Sequence, residues 1–378
     1  MMVSRHPISG DSMALKKPLR RNVALAIDGG GIKGVMVARA LMRLEEEMGR
    51  RLNAFVRLTA GTSTGAIIAA TLARGLNASM IHDLYVELGP RIFRKTWRTL
   101  PLVENLVRYR YDSQPFADAL RERLGDVTLG ALHHARPDFN MVITATDVYA
   151  NRTRFIKLYK PRFANWLLRD AVMASSVVPT VFPVFVHRYA SPALPPDPHE
   201  AWIPEPRCWV DGGVGSYSNP CYMAAYEIAF CLGGQGWRLD NTTLISIGTG
   251  HSPLREDWAA RLRNFRRRPN RLFGPEWAYP LVDIFLQDAN LQQLRLTQHF
   301  FVDAVIQRTG RPEAALDFRR FNLVFDEPIG MDEAGQIDRL DAYGERLGQM
   351  IIEDEREPFG SYTCGAPSHA FDAGRRGM

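Results

Sequence analysis

Apolar and polar residues alternate along this chain in two different rhythms. The segment "NVALAIDGGG" (22–31) is a short unbroken apolar run closed by glycines, the pattern of a strand buried on both faces of a parallel sheet. Next, "VMVARALMRLEEEMGR" places Val37, Leu41, Leu44 and Met48 at helical spacing, with Glu45, Glu46 and Glu47 largely on other faces. The unit then repeats: "AFVRLTAGTSTGAIIAATLARG" predicts strand, glycine corner and a helix closed at Gly75. Two such units in succession imply right-handed crossovers, hence an α/β fold with three α/β/α layers and a mainly parallel central sheet. From 77 to 125 the stretches "ASMIHDLYVELGPRIF" and "SQPFADALRERLG" are amphipathic and predict a helical insertion. Strand-like runs resume at "FNMVITATDV", "TRFIKLY", "CWVDGG" and "TLISIGTG", and the six prolines between 190 and 206 predict an extended loop.

The ends differ from this pattern. Residues 1–20 read as a flexible basic tail, 21–352 as one domain, and 353–378, charged and then glycine-rich, as a disordered tail. A hydrophobic fraction of 46% over 378 residues is that of a chain with a real core. No apolar run reaches the roughly 18 residues of a membrane span, and the N-terminus lacks the apolar centre of a signal peptide, so a cytoplasmic location is expected. Cys208, Cys221, Cys231 and Cys364 form no CxxC pair, so neither a disulfide framework nor a metal site is expected. The net charge is +6, and 41 of the 47 basic residues are arginine, a composition that attracts anionic partners. The densest cluster, "RLRNFRRRPNRLFGPEW" (261–277), runs Arg266, Arg267 and Arg268 together; it reads as a solvated loop, a membrane-surface patch or a nucleic-acid contact, and no DNA or RNA motif accompanies it.

Chemistry concentrates at three glycine-rich places. "GTSTG" (61–65) sets Ser63 between Gly61 and Gly65 right after an apolar run, the spacing of a sharp strand-to-helix corner that lifts a serine Oγ clear of the backbone; a plain capping turn has the same composition. "DGGGIKG" (28–34) has GxGxxG spacing in Gly29, Gly31 and Gly34, yet the position for a ribose-binding carboxylate holds Leu58, Thr59 and Ala60, and Lys33 is followed by Gly34 and Val35 rather than Ser or Thr. Dinucleotide and P-loop readings are therefore disfavoured, and no cofactor is expected. The loop can instead offer backbone N–H groups to a developing oxyanion at a helix N-terminus. Asp211, at the end of "CWVDGG", is placed to face the same sheet edge as Ser63, or to begin an ordinary Asp-Gly turn.

These three motifs, in this order, resemble those of the patatin-like phospholipase family, with further similarity through "ASSVVPTVFP", "LISIGTG" and "MDEAGQIDRLDAYGERL", over roughly residues 22 to 352. The resemblance implies a Ser63–Asp211 dyad without histidine, and an oxyanion hole from the N–H groups of Gly29, Gly30 and Gly31 joined by Thr64. Gly34, Gly212 and Gly213 belong to the loop and aspartate motifs. The rival arrangement is a Ser-Asp-His triad, for which His251 and His299 follow Asp211 in the required chain order. An aspartate with an ordinary pKa is a weak base for a hydroxyl, so the dyad requires a site that raises it. The implied activity is phospholipase A-type acyl hydrolysis at a membrane, with peripheral contact through arginines and exposed apolar residues. The likeness extends to bacterial antiviral effectors, which implies a cyclic oligonucleotide activator. A catalytically silent module binding membrane or phosphate is the reading of a different class.

Overall fold

The computed structural model describes residues 15–94, 109–187, 207–251 and 278–356, with side chains from 288 onward in the last stretch. The strands are β1 (Asn22–Ile27), β2 (Val56–Gly61), β3 (Asn140–Asp147), β4 (Arg152–Lys157), β5 (Phe185–His187), β6 (Arg207–Asp211), β7 (Thr242–Ile247) and β8 (Asp317–Phe321). Between them run α1 (Gly34–Met48), α2 (Thr64–Ala73), α3 (Ala78–Ile92), α4 (Gln114–Leu124), α5 (Leu129–Ala135), α6 (Leu168–Ser176) and α7 (Cys221–Tyr226). Helix Ala278–Gln298 precedes β8 and the C-terminal helix Ile337–Glu353 follows it. The strand order is β5-β6-β3-β2-β1-β7-β8, with β4 also paired to β3. Strands β3, β2, β1, β7 and β8 are parallel, whereas β4 and β6 run antiparallel to β3, and β5 to β6.

Helices cover both faces, which explains why β1 from Val23 to Ile27 is apolar at successive rather than alternate positions and why β1 and β7 are buried throughout. Val23, Leu25 and Ile27 of β1 point into one core with residues of α1, α2 and α3, while Ala24 and Ala26 point into the other, against α7. The six strand-like runs of the sequence all form strands, and the insertion is helical in α3 and α4. Strands β5 and β8 were not anticipated. Residues 15–20 differ from the loose tail expected of them: Leu15 is buried, Lys16 N–H donates to the Ile352 carbonyl, and Arg319 donates to the carbonyls of Lys17 and Pro18. The arginine cluster at 261–277, the prolines of 190–206 and residues 357–378 lie outside the described residues.

The sheet brings the candidate residues together through an unusual use of β3. Its outer edge is filled by β4 along Val142–Asp147, so β2 and β6 share the inner edge. Strand β2 pairs with the first half, ending with Gly61 opposite Ile143; β6 pairs with the last part, placing Asp211 opposite Ala145. Ser63 and Asp211 therefore meet where one strand stops and the other arrives.

Candidate active site

Ser63 sits on the corner between β2 and α2 with φ 55° and ψ −120°, a strained conformation for a residue with a side chain. The flanking glycines are there for space. A Cβ on Gly61 would lie 2.1 Å from the Gly65 carbonyl oxygen, and one on Gly65 would lie 2.1 Å from that of Ile27. The corner is clamped by the end of α6: Ser63 N–H donates to Ser175 Oγ at 2.8 Å, and Ser176 Oγ donates to the Ser63 carbonyl at 3.2 Å. The next residue on, Val177, accepts the backbone N–H of Asp211 at 3.1 Å. One segment, 175–177, thus fixes both candidate catalytic residues.

Asp211 is buried. Its Oδ1 accepts the Gly213 N–H at 2.7 Å, while Oδ2 has no hydrogen-bond partner within bonding distance. Burial pushes its pKa from 3.8 up to about 6; the nearby Ser63 hydroxyl and the Gly213 N–H pull it part of the way back. The Ser63 hydroxyl thus lies near enough to lower the carboxylate pKa, and Oδ2 has no hydrogen-bond partner. Gly212 packs against Thr144, where a Cβ would lie 2.2 Å from its Oγ1.

The glycine loop lies beside the serine, with a Cβ on Gly29 only 3.3 Å from Ser63 Cβ. Its N–H groups are not equivalent. Gly29 donates to the Ser218 carbonyl at 2.8 Å, so this member of the expected oxyanion set is already committed to holding the loop. Gly30 and Gly31 have no N–H acceptor among the described residues; Gly31 has φ +60° and starts the single turn Gly31–Lys33. Thr64 begins α2, where helix geometry leaves its N–H without an internal partner. Its Oγ1 donates to Tyr85 Oη at 2.5 Å, and Tyr85 donates to the Thr64 carbonyl at 2.8 Å. Gly34 opens α1 directly against this pair. Asp28 forms a two-pronged ion pair with Arg320, at 2.9 and 2.6 Å, and Lys33 is half-buried with its ammonium 6.0 Å from the Phe325 ring centre.

Ser63 and Thr64 open onto an apolar pocket walled by Ile67, Leu84, Leu88, Phe93, Phe116 and Phe182 from α2, α3, α4 and the segment after α6. Among the described residues no charged side chain lines it. The helical insertion therefore supplies one wall of a chamber suited to a hydrocarbon chain. The histidines of the rival triad are elsewhere: His251 Nδ1 contacts Asn322 Nδ2 at 3.0 Å and His299 is an exposed residue in the π-helical segment His299–Asp303 that continues helix Ala278–Gln298. Among the described residues no histidine hydrogen-bonds Ser63 or Asp211. Sequence reasoning missed Ser175, Ser176, Tyr85, Thr249 and Arg320. The two serines lie in "ASSVVPTVFP", a stretch of likeness to the family that by itself gave them no role, and the others act across long sequence separations.

The family description that matches is "Patatin-like phospholipase", over residues 25–225. Among relatives, the chain is similar to "Patatin-like protein 2" of Oryza sativa subsp. indica, 28% identical over 248 residues, covering 60% of this chain and 58% of that protein. It is also similar to "cGAMP-activated phospholipase" of Pseudomonas aeruginosa, 31% identical over 166 residues, covering 42% of this chain and 48% of that one. The match thus spans about half the length of these relatives. Among solved structures, VipD from Legionella pneumophila aligns with 94% of this chain and 72% of its own at 12% identity, with a TM-score of 0.42. With the family match covering the glycine loop, the serine corner and the aspartate turn, the chain belongs to the patatin-like phospholipase family.

Proposed function

We propose that the protein is a lipid acyl hydrolase of the phospholipase A type, in which Ser63 is the nucleophile and Asp211 its general base. The observation that carries this reading is the buried Asp211 carboxylate, its Oδ2 unpartnered and its pKa raised to about 6, beside a serine on a strained corner at the mouth of an apolar pocket. As Ser63 Oγ attacks the ester carbonyl, its proton passes to Asp211 Oδ2. The carbonyl oxygen, now negative, is received by the N–H groups of Gly30 and Gly31, with Thr64 available beside them. When the C–O bond to the alcohol breaks, Asp211 returns the proton to the departing oxygen and the acyl chain stays on Ser63. Water then attacks the acyl-enzyme, losing its proton to Asp211, and the fatty acid leaves as Ser63 recovers a proton. The pocket holds the acyl chain, so the headgroup faces outward toward the membrane surface.

The test is fatty-acid release from mixed phospholipid vesicles. Wild type releases it; Ser63→Ala and Asp211→Asn do not, with at least about a thousandfold loss expected for a nucleophile or its base. Vesicles hydrolysed equally by all three proteins overturn the dyad.

A regulatory reading is favoured by the relatives named as cGAMP-activated and cUMP-AMP-activated phospholipases. On that reading a cyclic oligonucleotide switches on hydrolysis, and the arginine-rich composition suits its phosphates. Repeating the vesicle assay with cGAMP and with cUMP-AMP decides it: stimulation supports an activator of this class, and equal rates together with no heat of binding by titration calorimetry remove it.

A further inference from the structure

The glycine loop is held in place from the side of the sheet that lies beyond the family match. Arg320 on β8 is level with Ser246 on β7, which is level with Ala26 on β1. Its guanidinium crosses over β7 to reach Asp28, the first residue past β1, with Nη1 to Oδ1 at 2.9 Å, Nη2 to Oδ2 at 2.6 Å, and Nη1 also to Ser246 Oγ at 2.9 Å. Both charged side chains are buried, Asp28 to 3% and Arg320 to 2% exposure. Room for this crossing exists because residue 248 is glycine: a Cβ there would lie 2.7 Å from Arg320 Nη2 and 2.1 Å from Asn322 Oδ1. The next residue, Thr249, donates from Oγ1 to the Gly29 carbonyl at 2.6 Å, and it would collide with any side chain at Gly30. From farther along, the Met331 carbonyl accepts the Ile32 N–H at 2.8 Å.

A buried ion pair is an inefficient way to stabilise a fold, because desolvating two charges offsets most of their attraction. What a bidentate guanidinium–carboxylate pair does well is fix direction. Here that direction is handed to Asp28, and through it to the next three residues, whose carbonyl and N–H groups at Gly29 are held by Thr249 and Ser218. The N–H groups of Gly30 and Gly31 are left without an acceptor among the described residues. We propose that Arg320, together with Thr249, is a positioning residue for the oxyanion hole: it touches no substrate and sets the orientation of the Gly30 and Gly31 N–H groups through Asp28. This rests on the acyl-hydrolase reading and extends it to the last third of the chain.

The experiment measures kcat and KM separately for p-nitrophenyl butyrate hydrolysis by wild type, Arg320→Lys, Arg320→Gln and Thr249→Val. Rates are normalised to the serine labelled to completion by a fluorophosphonate, and Tm is recorded alongside. Arg320→Lys keeps the charge and loses the fork, so kcat falls about 10- to 100-fold while KM stays within about twofold, as expected when only transition-state contacts are misaligned. Arg320→Gln falls at least as far. Thr249→Val, which removes one hydrogen bond and leaves the ion pair, lowers kcat by about tenfold with little change in Tm, and it decides the question if the arginine variants do not fold. Normalised kcat unchanged in the folded variants, with only Tm reduced, makes the clamp purely structural and overturns the proposal. A wild type that hydrolyses neither this ester nor vesicle lipids, with cGAMP or cUMP-AMP present as well as without them, overturns the acyl-hydrolase reading and this inference with it, whereas an active wild type with equally active variants overturns this inference alone.

Discussion

At the scale of the residue, Asp211 holds its proton more tightly in the folded protein than in the unfolded chain, with a pKa of about 6 against 3.8. Two consequences follow with definite signs. Only the ionised carboxylate can accept the Ser63 proton, so kcat/KM on a soluble ester should climb about tenfold per pH unit below 6 and level off above it. A pH-rate profile without a limb near 6 argues against Asp211 as the base. Stability moves the other way. A raised carboxylate pKa contributes stability that is fully present below 3.8 and lost as pH rises through about 6, leaving the ionised group a burden of about 3 kcal/mol at pH 8. Asp211→Asn keeps an oxygen for the Gly213 N–H and removes the charge. Its Tm should therefore exceed that of wild type at about pH 8, with the gap closing toward about pH 4 in scanning calorimetry. A residue whose replacement abolishes turnover while raising stability is one retained for chemistry.

At the scale of the element, the end of α6 and the walls of the pocket control what the serine can do. Ser175→Ala leaves the Ser63 N–H buried without its acceptor, a loss of about 1–3 kcal/mol in urea denaturation, and relaxes the strained corner, so turnover falls as well. Full turnover in Ser175→Ala would show that the corner needs no clamp. Phe182 stands among Phe93, Tyr111 and Phe116, with ring centres 6.1 Å from each. Truncating it to alanine should cost about 3–5 kcal/mol and enlarge the pocket, shifting preference among p-nitrophenyl esters toward longer or branched chains. An unchanged chain-length profile would mean that the acyl group binds elsewhere.

At the scale of the whole molecule, the N-terminal segment and the last third of the chain meet on β8. Asp317 is buried, which alone raises a carboxylate pKa, but Arg319, Thr243 and Lys17 outweigh burial and hold it at about 2. Its contribution to stability is present above 3.8 and lost as pH falls through about 2. Deleting residues 1–20 removes Lys17 and the two carbonyls that receive Arg319, and uncovers the site of Leu15. The truncated protein should unfold at a lower temperature and, in acid titration followed by circular dichroism, at a higher pH than the full chain. Identical acid midpoints would show that the segment is merely laid on the surface. Among the described residues no helix is long and apolar enough to cross a membrane.

Local pattern determined the strand–glycine–helix units, because burial on both sheet faces favours the mainly apolar runs of β1 and β2 and the sharp corner leaves no room for a side chain at positions 61 and 65. It also determined the family, since the glycine loop, the serine corner and the aspartate turn are each contiguous in sequence. Strand β8 was illegible because "DFRRF" breaks the apolar pattern with two buried arginines, acceptable only because Asp317 and Asp28 neutralise them. Strand β5, with three residues, carries too little pattern to see. Tertiary structure alone decided that Gly29 gives its N–H to Ser218, that no histidine joins the serine and aspartate among the described residues, and that Asp211 lies where β6 takes over the edge of β3 from β2. The physical reason is the same in each case: a motif states which groups are present, but the acceptor, the neighbouring charge and the burial that set their chemistry come from parts of the chain brought together only by folding.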